Sequence, residues 1–320
     1  MWHDGVRHVT ETRWTLRGMA FAGVHWCDPE RAIPDRRGSP VPGPAHPIAV
    51  FLHGFLDHAG AWEGVAQHLP GERYALDHRG HGRSAHNPPG ASYLFADYVA
   101  DVDALVDTLS PDAPVHLVGH SMGGTIATLY AGARPARVRS VVSLDGLGIA
   151  DGVSGRAFAD SDPVSERMVK FLDGVRSPPR HKPMPSLSYA AHRLASSHAR
   201  IGPAWALRLA ERSTTPAPDA GPEAVTWSFD PTHRTRSPIP YRHSHHVPLL
   251  RRIVCPVLAV RPDAPTFAAE DIAALESEIP NLQRRLVPGT THMMHLEEPQ
   301  AIATHIAEFW CQIHTYSPAA

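Results

Sequence analysis

The sequence predicts an α/β fold, with a mostly parallel central sheet flanked by helices on both faces and a helical insertion between two parts of that sheet. Three observations carry this expectation. Short apolar runs alternate with amphipathic helical stretches through the first half of the chain, the pattern of a parallel sheet covered on both sides. From about residue 148 to 247 the alternation gives way to short helical pieces rich in Ala, Arg and His, with Pro clusters such as Ser177-Pro178-Pro179. Strand character then returns, so the sheet resumes after the insertion. With 320 residues, 42% of them hydrophobic, the chain can bury one large core and carry an inserted unit besides.

Taken in order, Thr10 to Trp26 forms an antiparallel pair at the sheet edge. A Pro/Gly-rich loop, Asp28 to Pro47, leads into Ile48-Ala49-Val50-Phe51-Leu52, whose unbroken apolar character marks a central strand buried on both faces. Tyr74-Ala75-Leu76 is the next strand. Tyr98 to Leu109 places Val99, Val102, Leu105, Val106 and Leu109 on one helical stripe, which reads as core packing. Val115 to Val118 and Val138 to Leu144 follow as strands, and after the insertion come Pro256 to Val260 and Leu282 to Val287. A final amphipathic helix runs from Pro299 through Ile302, Ile306 and Phe309. The expected division is therefore a core of residues 1–147 and 248–320, with residues 148–247 as a helical cap.

Chemistry concentrates in Val115-His116-Leu117-Val118-Gly119-His120-Ser121-Met122-Gly123-Gly124. An apolar strand bounded by Pro114 runs into a glycine-flanked serine, and Ile126, Leu129, Tyr130 and Ala133 follow at helical spacing until Pro135 stops the helix. A strand that turns at once into a helix strains its corner residue and needs small neighbours two positions away on each side. Gly119 and Gly123 meet that need, so Ser121 is the candidate nucleophile. The backbone N–H of Met122, at the helix N-terminus, is placed to stabilise an oxyanion.

A serine nucleophile also needs a second oxyanion donor, a base, and an acid that orients the base. Following the apolar strand, His53-Gly54-Phe55 offers a tight turn that can aim the Phe55 N–H above the sheet. The loop after the last strand, Gly289-Thr290-Thr291-His292-Met293-Met294-His295-Leu296-Glu297-Glu298-Pro299, supplies two histidines for the base.

These segments, with Asp77-His78-Arg79-Gly80-His81-Gly82-Arg83-Ser84, occur in the order found in the alpha/beta-hydrolase superfamily, and the chain resembles its capped serine hydrolase-like and esterase branch across nearly all of its length outside the cap. The resemblance implies that His292, the earlier of the pair, is the base and that His295 begins the last helix as a packing or hydrogen-bonding residue. It implies an acid after either of two strands: Asp145 in Ser143-Leu144-Asp145-Gly146, which is favoured, or Asp263 in Val260-Arg261-Pro262-Asp263, whose turn is shorter than the family pattern. His81 and Arg79 then brace the core beneath the site. A serine at the elbow separates the chain from haloalkane dehalogenases and epoxide hydrolases, which need an aspartate there.

The expected activity is thus a Ser-His-Asp carboxylic ester hydrolase acting on a small or medium apolar acyl ester. Phe158, Met168, Phe171, Leu187, Tyr189, Trp205 and Trp227 of the cap are expected to roof its pocket. The same triad serves carbon-carbon bond hydrolases, thioesterases, lactonases and perhydrolases. A non-catalytic binding protein on this fold is the alternative from another class.

Composition bounds the rest. A formal net charge of −2 gives no reason to expect nucleic acid as a partner. Cys27, Cys255 and Cys311, widely spaced and odd in number, fit a reducing compartment, with Cys255 and Cys311 expected as buried thiols. The first residues lack the basic and apolar regions of a signal peptide, and no segment reaches the roughly 18 apolar residues of a membrane span, so a cytoplasmic location is expected. The triad chemistry requires no cofactor. Arg242-His243-Ser244-His245-His246 brings imidazoles close together but lacks a spaced carboxylate or cysteine, so no metal is assigned to it.

Overall fold

A computed structural model of the chain describes residues 8–27, 47–148, 164–198, 200–239, 241–263 and 269–315. The strands are β1 (His8–Leu16), β2 (Met19–Cys27), β3 (Ala49–Leu52), β4 (Arg73–Leu76), β5 (Val115–His120), β6 (Val138–Leu144), β7 (Thr214–Pro216), β8 (Val225–Trp227), β9 (Val257–Pro262) and β10 (Leu282–Val287). The α-helices are α1 (Glu63–Ala66), α2 (Phe95–Leu109), α3 (Met122–Ala133), α4 (Val164–Arg176), α5 (Leu187–Ser197), α6 (Pro203–Ser213), α7 (His243–Leu250), α8 (Ala269–Glu276), α9 (Met294–Glu297) and α10 (Pro299–Thr315).

Eight strands form one sheet in the order β1-β2-β4-β3-β5-β6-β9-β10. The β1–β2 hairpin lies at one edge and joins β4 in antiparallel fashion, while β4, β3, β5, β6, β9 and β10 pair in parallel. The apolar run of β3 is fully buried because it serves two cores at once. Val50 and Leu52 pack with Tyr98, Val102, Leu105 and Ile126 of α2 and α3 on one face. Ala49 and Phe51 pack with Val65, Ile302, Ile306 and Trp310 of α1 and α10 on the other. A strand alternates its side chains across the sheet, so only an apolar residue at every position satisfies both layers.

Between β6 and β9 the chain leaves the sheet, in the place expected for the insertion. Helices α5 and α6 pair there, and Met184, Ala190, Ala191 and Ala210 form a small core of their own. Besides its helices, this region holds an antiparallel pair, β7–β8, of three residues per strand, neither of them buried. Pro216 and two threonines make β7 look like a loop, and so short a strand shows no period that sequence can register. Residue Phe158 and most of the loop from Asp28 lie outside the described residues.

Polar side chains fasten the insertion to the sheet's upper loops. Arg212 of α6 bonds Asp77 and Glu11, each at 2.8 Å. Leu209 offers its carbonyl to His58 Nε2 at 3.1 Å, and the Asp230 N–H donates to the Gly80 carbonyl at 2.7 Å. Asp77 also accepts the N–H groups of Ala59 at 2.6 Å and Arg83 at 3.0 Å, while Arg79 forks onto Asp101 with two contacts of 2.6 Å. The 77–84 segment is thus a brace joining two loops, a helix and the insertion.

Candidate active site

Ser121 stands where β5 turns into α3, with φ 51° and ψ −117°. Positive φ is costly for a residue with a side chain, and it holds here because the surrounding glycines leave the chain no other course. A Cβ on Gly119 would overlap the Gly123 carbonyl, and one on Gly123 would overlap the Leu52 carbonyl. The two glycines allow helix and strand ends to touch. Met122 is the first residue of α3, where backbone N–H groups have no intrahelical acceptor. Ser121 and Met122 are both partly exposed.

The turn after β3 presses against this corner. A Cβ on Gly54 would lie 3.4 Å from the Ser121 Cβ and 2.8 Å from His120 Nδ1, so only glycine lets the turn come this close. Phe55 follows it, with its ring 6.0 Å from that of His233, which the insertion sends to this point. His53 is fully buried: its Nδ1 bonds the Gly54 carbonyl at 2.7 Å and its Nε2 accepts the His78 N–H at 3.0 Å. Both contacts shape the turn that precedes Phe55.

From the loop after β10, His292 Nδ1 bonds Asp145 Oδ2 at 2.7 Å. The carboxylate can only accept, so Nδ1 carries the proton and Nε2 keeps its lone pair. Asp145 is buried while the His292 side chain is 32% exposed, which leaves the imidazole open to a ligand. Burial by itself would raise the Asp145 pKa; the His292 hydrogen bond and the charges of His292 and Arg261 outweigh it and hold the carboxyl below its usual range. Asp145 shares with Ser121 a positive φ, 46°, and its N–H donates to the Val260 carbonyl at 3.0 Å. Asp263 goes elsewhere: its carboxylate accepts the Gly289 N–H. Of the two aspartates, the structure brings Asp145 to His292.

The His292 loop is held at several points. Glu297 accepts from the Thr291 N–H at 2.7 Å and from its hydroxyl at 2.5 Å. His120, next to Ser121, bonds the His292 carbonyl through Nε2 at 2.8 Å. Through this last bond the residue beside the elbow serine fixes the backbone of the histidine.

Two side chains at the site escaped the sequence reading. Arg261 bonds Asp145 Oδ1 at 3.0 Å and Glu276 at 3.3 Å, and its one sequence signal was a lone charge within the apolar run of β9. His120 lay in plain view inside the elbow motif, but only the tertiary fold supplies its acceptor. His295 differs from expectation: it lies in α9, a separate short turn ahead of the last helix, and is fully buried. Glu298 and Pro299 break the helix between them, since proline supplies no N–H to continue it.

The side chains expected as a roof divide among several surroundings. Trp205 packs beside Ala61, Ile201, Leu209 and Leu296, while Leu187 and Trp227 join the insertion's own small core. Met168 and Tyr189 are 43% and 47% exposed. The histidines of residues 243–246 lie on α7, with His243 buried and the His246 ring stacked on Tyr241. Cys255 is buried as expected, Cys311 only partly, and none of the three cysteines forms a disulfide.

A mostly parallel sheet with a strained serine at the turn into α3, and a buried aspartate bonded to a part-exposed histidine, defines a hydrolase scaffold. The chain belongs to the alpha/beta hydrolase fold family, whose model matches residues 47–299. It is similar to a serine hydrolase-like protein of Danio rerio, 41% identical over 109 residues, a match that spans 33% of this chain and 33% of that protein's length. A serine hydrolase-like protein of Dictyostelium discoideum is 27% identical over 274 residues, spanning 81% of this chain and 73% of its own. Among solved structures, the thioesterase domain from the curacin biosynthetic pathway superposes with a TM-score of 0.76 at 26% identity, covering 93% of this chain and 99% of that one. No helix among the described residues is long and apolar enough to cross a membrane.

Proposed function

We propose that the protein is a serine hydrolase of carboxylic esters, with Ser121 as nucleophile, His292 as general base and Asp145 as the residue that orients it. The observation that carries this reading is the 2.7 Å bond between His292 Nδ1 and Asp145, made by a histidine whose backbone is tied to the residue beside Ser121. With Nδ1–H engaged, Nε2 takes the Ser121 hydroxyl proton as Oγ attacks the ester carbonyl. The Phe55 and Met122 N–H groups bind the oxyanion of the tetrahedral intermediate. When the intermediate collapses, the imidazolium returns its proton to the leaving alcohol. Water, deprotonated by His292, then attacks the acyl-enzyme and releases the acid and free Ser121.

In this reading the insertion of residues 148–247 acts as the cap. It reaches the site through His233, beside Phe55, and through Ile201 and Leu209, which pack with Met293 next to His292. Small and medium acyl esters fit such a closed approach. Thioesters are the second substrate class, favoured by the likeness to a thioesterase domain over 93% of the chain. A panel of p-nitrophenyl esters and acyl thioesters of graded chain length, run beside labelling by a fluorophosphonate probe, tests the proposal. Turnover with labelling at Ser121 supports it; absence of both on a folded protein overturns it in favour of a binding role.

A further inference from the structure

Behind the proposed triad lies a cluster it does not use. Asp57, His120 and His295 each offer a ligand atom, and these atoms all lie within 4.8 Å of one another. His120 and His295 are 2% and 0% exposed. His120 Nδ1, both ring nitrogens of His295 and Asp57 Oδ2 have no hydrogen-bond partner, and the contact between His295 Nε2 and Asp57 Oδ2 is 3.7 Å, beyond hydrogen-bonding reach. Buried polar atoms left this way are costly, and an ion held by one atom from each of the three residues would satisfy them.

The chemistry of the three groups says which occupant fits. His120 donates Nε2–H to the His292 carbonyl, so its Nδ1 carries the lone pair that remains for a ligand. An imidazole whose far nitrogen donates to a carbonyl is the arrangement that fixes a metal-ligating histidine. Asp57 lies on the same loop as Gly54, whose carbonyl accepts the Asp57 N–H at 3.2 Å, and its Oδ1 accepts the His58 N–H at 2.8 Å, leaving Oδ2 for the cluster. The Asp57 side chain is 17% exposed.

We propose that Asp57, His120 and His295 bind a single divalent transition-metal ion of the zinc or cobalt type, and that its occupancy slows hydrolysis. Two imidazoles and one carboxylate with a fourth position for water are a regular ligand set for such ions, whereas magnesium and calcium favour oxygen donors. The His120 and His292 rings are 4.7 Å apart between centroids. A dication on His120 therefore opposes the imidazolium that must form on His292 and lowers kcat more than it alters KM. Binding stands independently of the hydrolytic reading, while the effect on rate rests on it.

Calorimetric titration of the full chain with Zn2+ and the visible absorption of its Co2+ form test the site. One equivalent should bind, with at least a tenfold loss of affinity in Asp57→Asn and His295→Asn. His245→Ala and His246→Ala, on the exposed turn of α7, should bind as the wild type does. If the native protein takes up no Co2+ at one equivalent, if the two cluster variants bind unchanged, or if the α7 variants abolish binding, the assignment is wrong. The Co2+ spectrum of the native protein decides the matter even where a variant does not fold. One equivalent of Zn2+ bound with kcat unchanged overturns the coupling to His292, and a metal-free protein inactive on every ester and thioester overturns the hydrolytic reading while leaving the binding measurement intact.

Discussion

Ser121 occupies a backbone conformation, φ 51° and ψ −117°, that a residue bearing a Cβ enters only at a cost of about 1–3 kcal/mol. That strain is the condition for lifting its hydroxyl out of the sheet. Ser121→Ala is expected to abolish hydrolysis of p-nitrophenyl esters with the fold intact, and Ser121→Gly to be equally inactive yet more stable by about 1 kcal/mol. Thermal denaturation beside the assay checks both, and activity near wild type in either variant would remove Ser121 from the chemistry. The two aspartates part ways at the same scale. Asp145→Asn should lower kcat by about 1000-fold or more, because an amide can leave His292 with the wrong nitrogen protonated. Asp263→Asn, which loses only a loop contact to the Gly289 N–H, should stay within a few-fold of wild type. A large loss from Asp263 and none from Asp145 would reverse the assignment. The elbow serine was legible from its own neighbours in sequence. The partner of His292 was narrowed to two aspartates with Asp145 favoured, since both follow strands and packing shows which one meets His292.

At the scale of elements, the turn from β5 into α3 depends on absent side chains. Gly119→Ala and Gly123→Ala would each drive a methyl group into backbone, with a cost on the order of 1–3 kcal/mol or more. A lowered urea midpoint is the expected reading, and an unchanged one would show that strand and helix can separate without penalty. The main strands could be read from sequence because burial on both faces demands unbroken apolar runs, as in Ala49-Val50-Phe51-Leu52. β6 and β10 begin and end where the sequence reading places them. Helix α2 starts one turn earlier than its stripe suggests, because Phe95 finds Tyr98 and Tyr241 to pack against. The β7–β8 pair was hidden for the opposite reason: none of its residues is buried, and its pairing joins Thr214 to Trp227 and Pro216 to Val225 with no repeating pattern in the sequence.

Over the whole molecule, charge and proton binding decide how firmly the parts stay together. Arg212 carries the insertion onto Asp77, whose side chain is fully buried. Arg212→Met leaves that carboxylate short of its cation and is expected to destabilise the protein by about 3 kcal/mol, measurable by denaturant unfolding; a loss below experimental error would mean the insertion is held by packing alone. Burial, the leading cause in each case, lowers the pKa of His53, His58, His78, His81, His120 and His233, the last to about 4. The unfolded chain takes up protons on these imidazoles near pH 6.5, where the native protein does not. Stability is therefore complete above about pH 6.5 and falls as pH drops from there toward 4, each imidazole adding up to about 1.4 kcal/mol per pH unit to the slope. Urea midpoints at pH 7.5 and 5.5 should differ strongly, and equal midpoints would refute the neutral, buried state of these histidines.

What the sequence determined by itself was local: the strands with unbroken apolar faces, the strained serine between two obligatory glycines, and the loop in which a histidine would be found. Each of these rests on neighbours within a few residues, where sterics and periodicity leave their mark in the order of amino acids. Tertiary structure decided that Asp145 meets His292, that Arg261 stands behind it, and that His120 grips the His292 backbone. Those are contacts between residues as far as 172 positions apart along the chain. Their partners are chosen by the space left after the sheet has closed, and no single stretch of sequence contains that space.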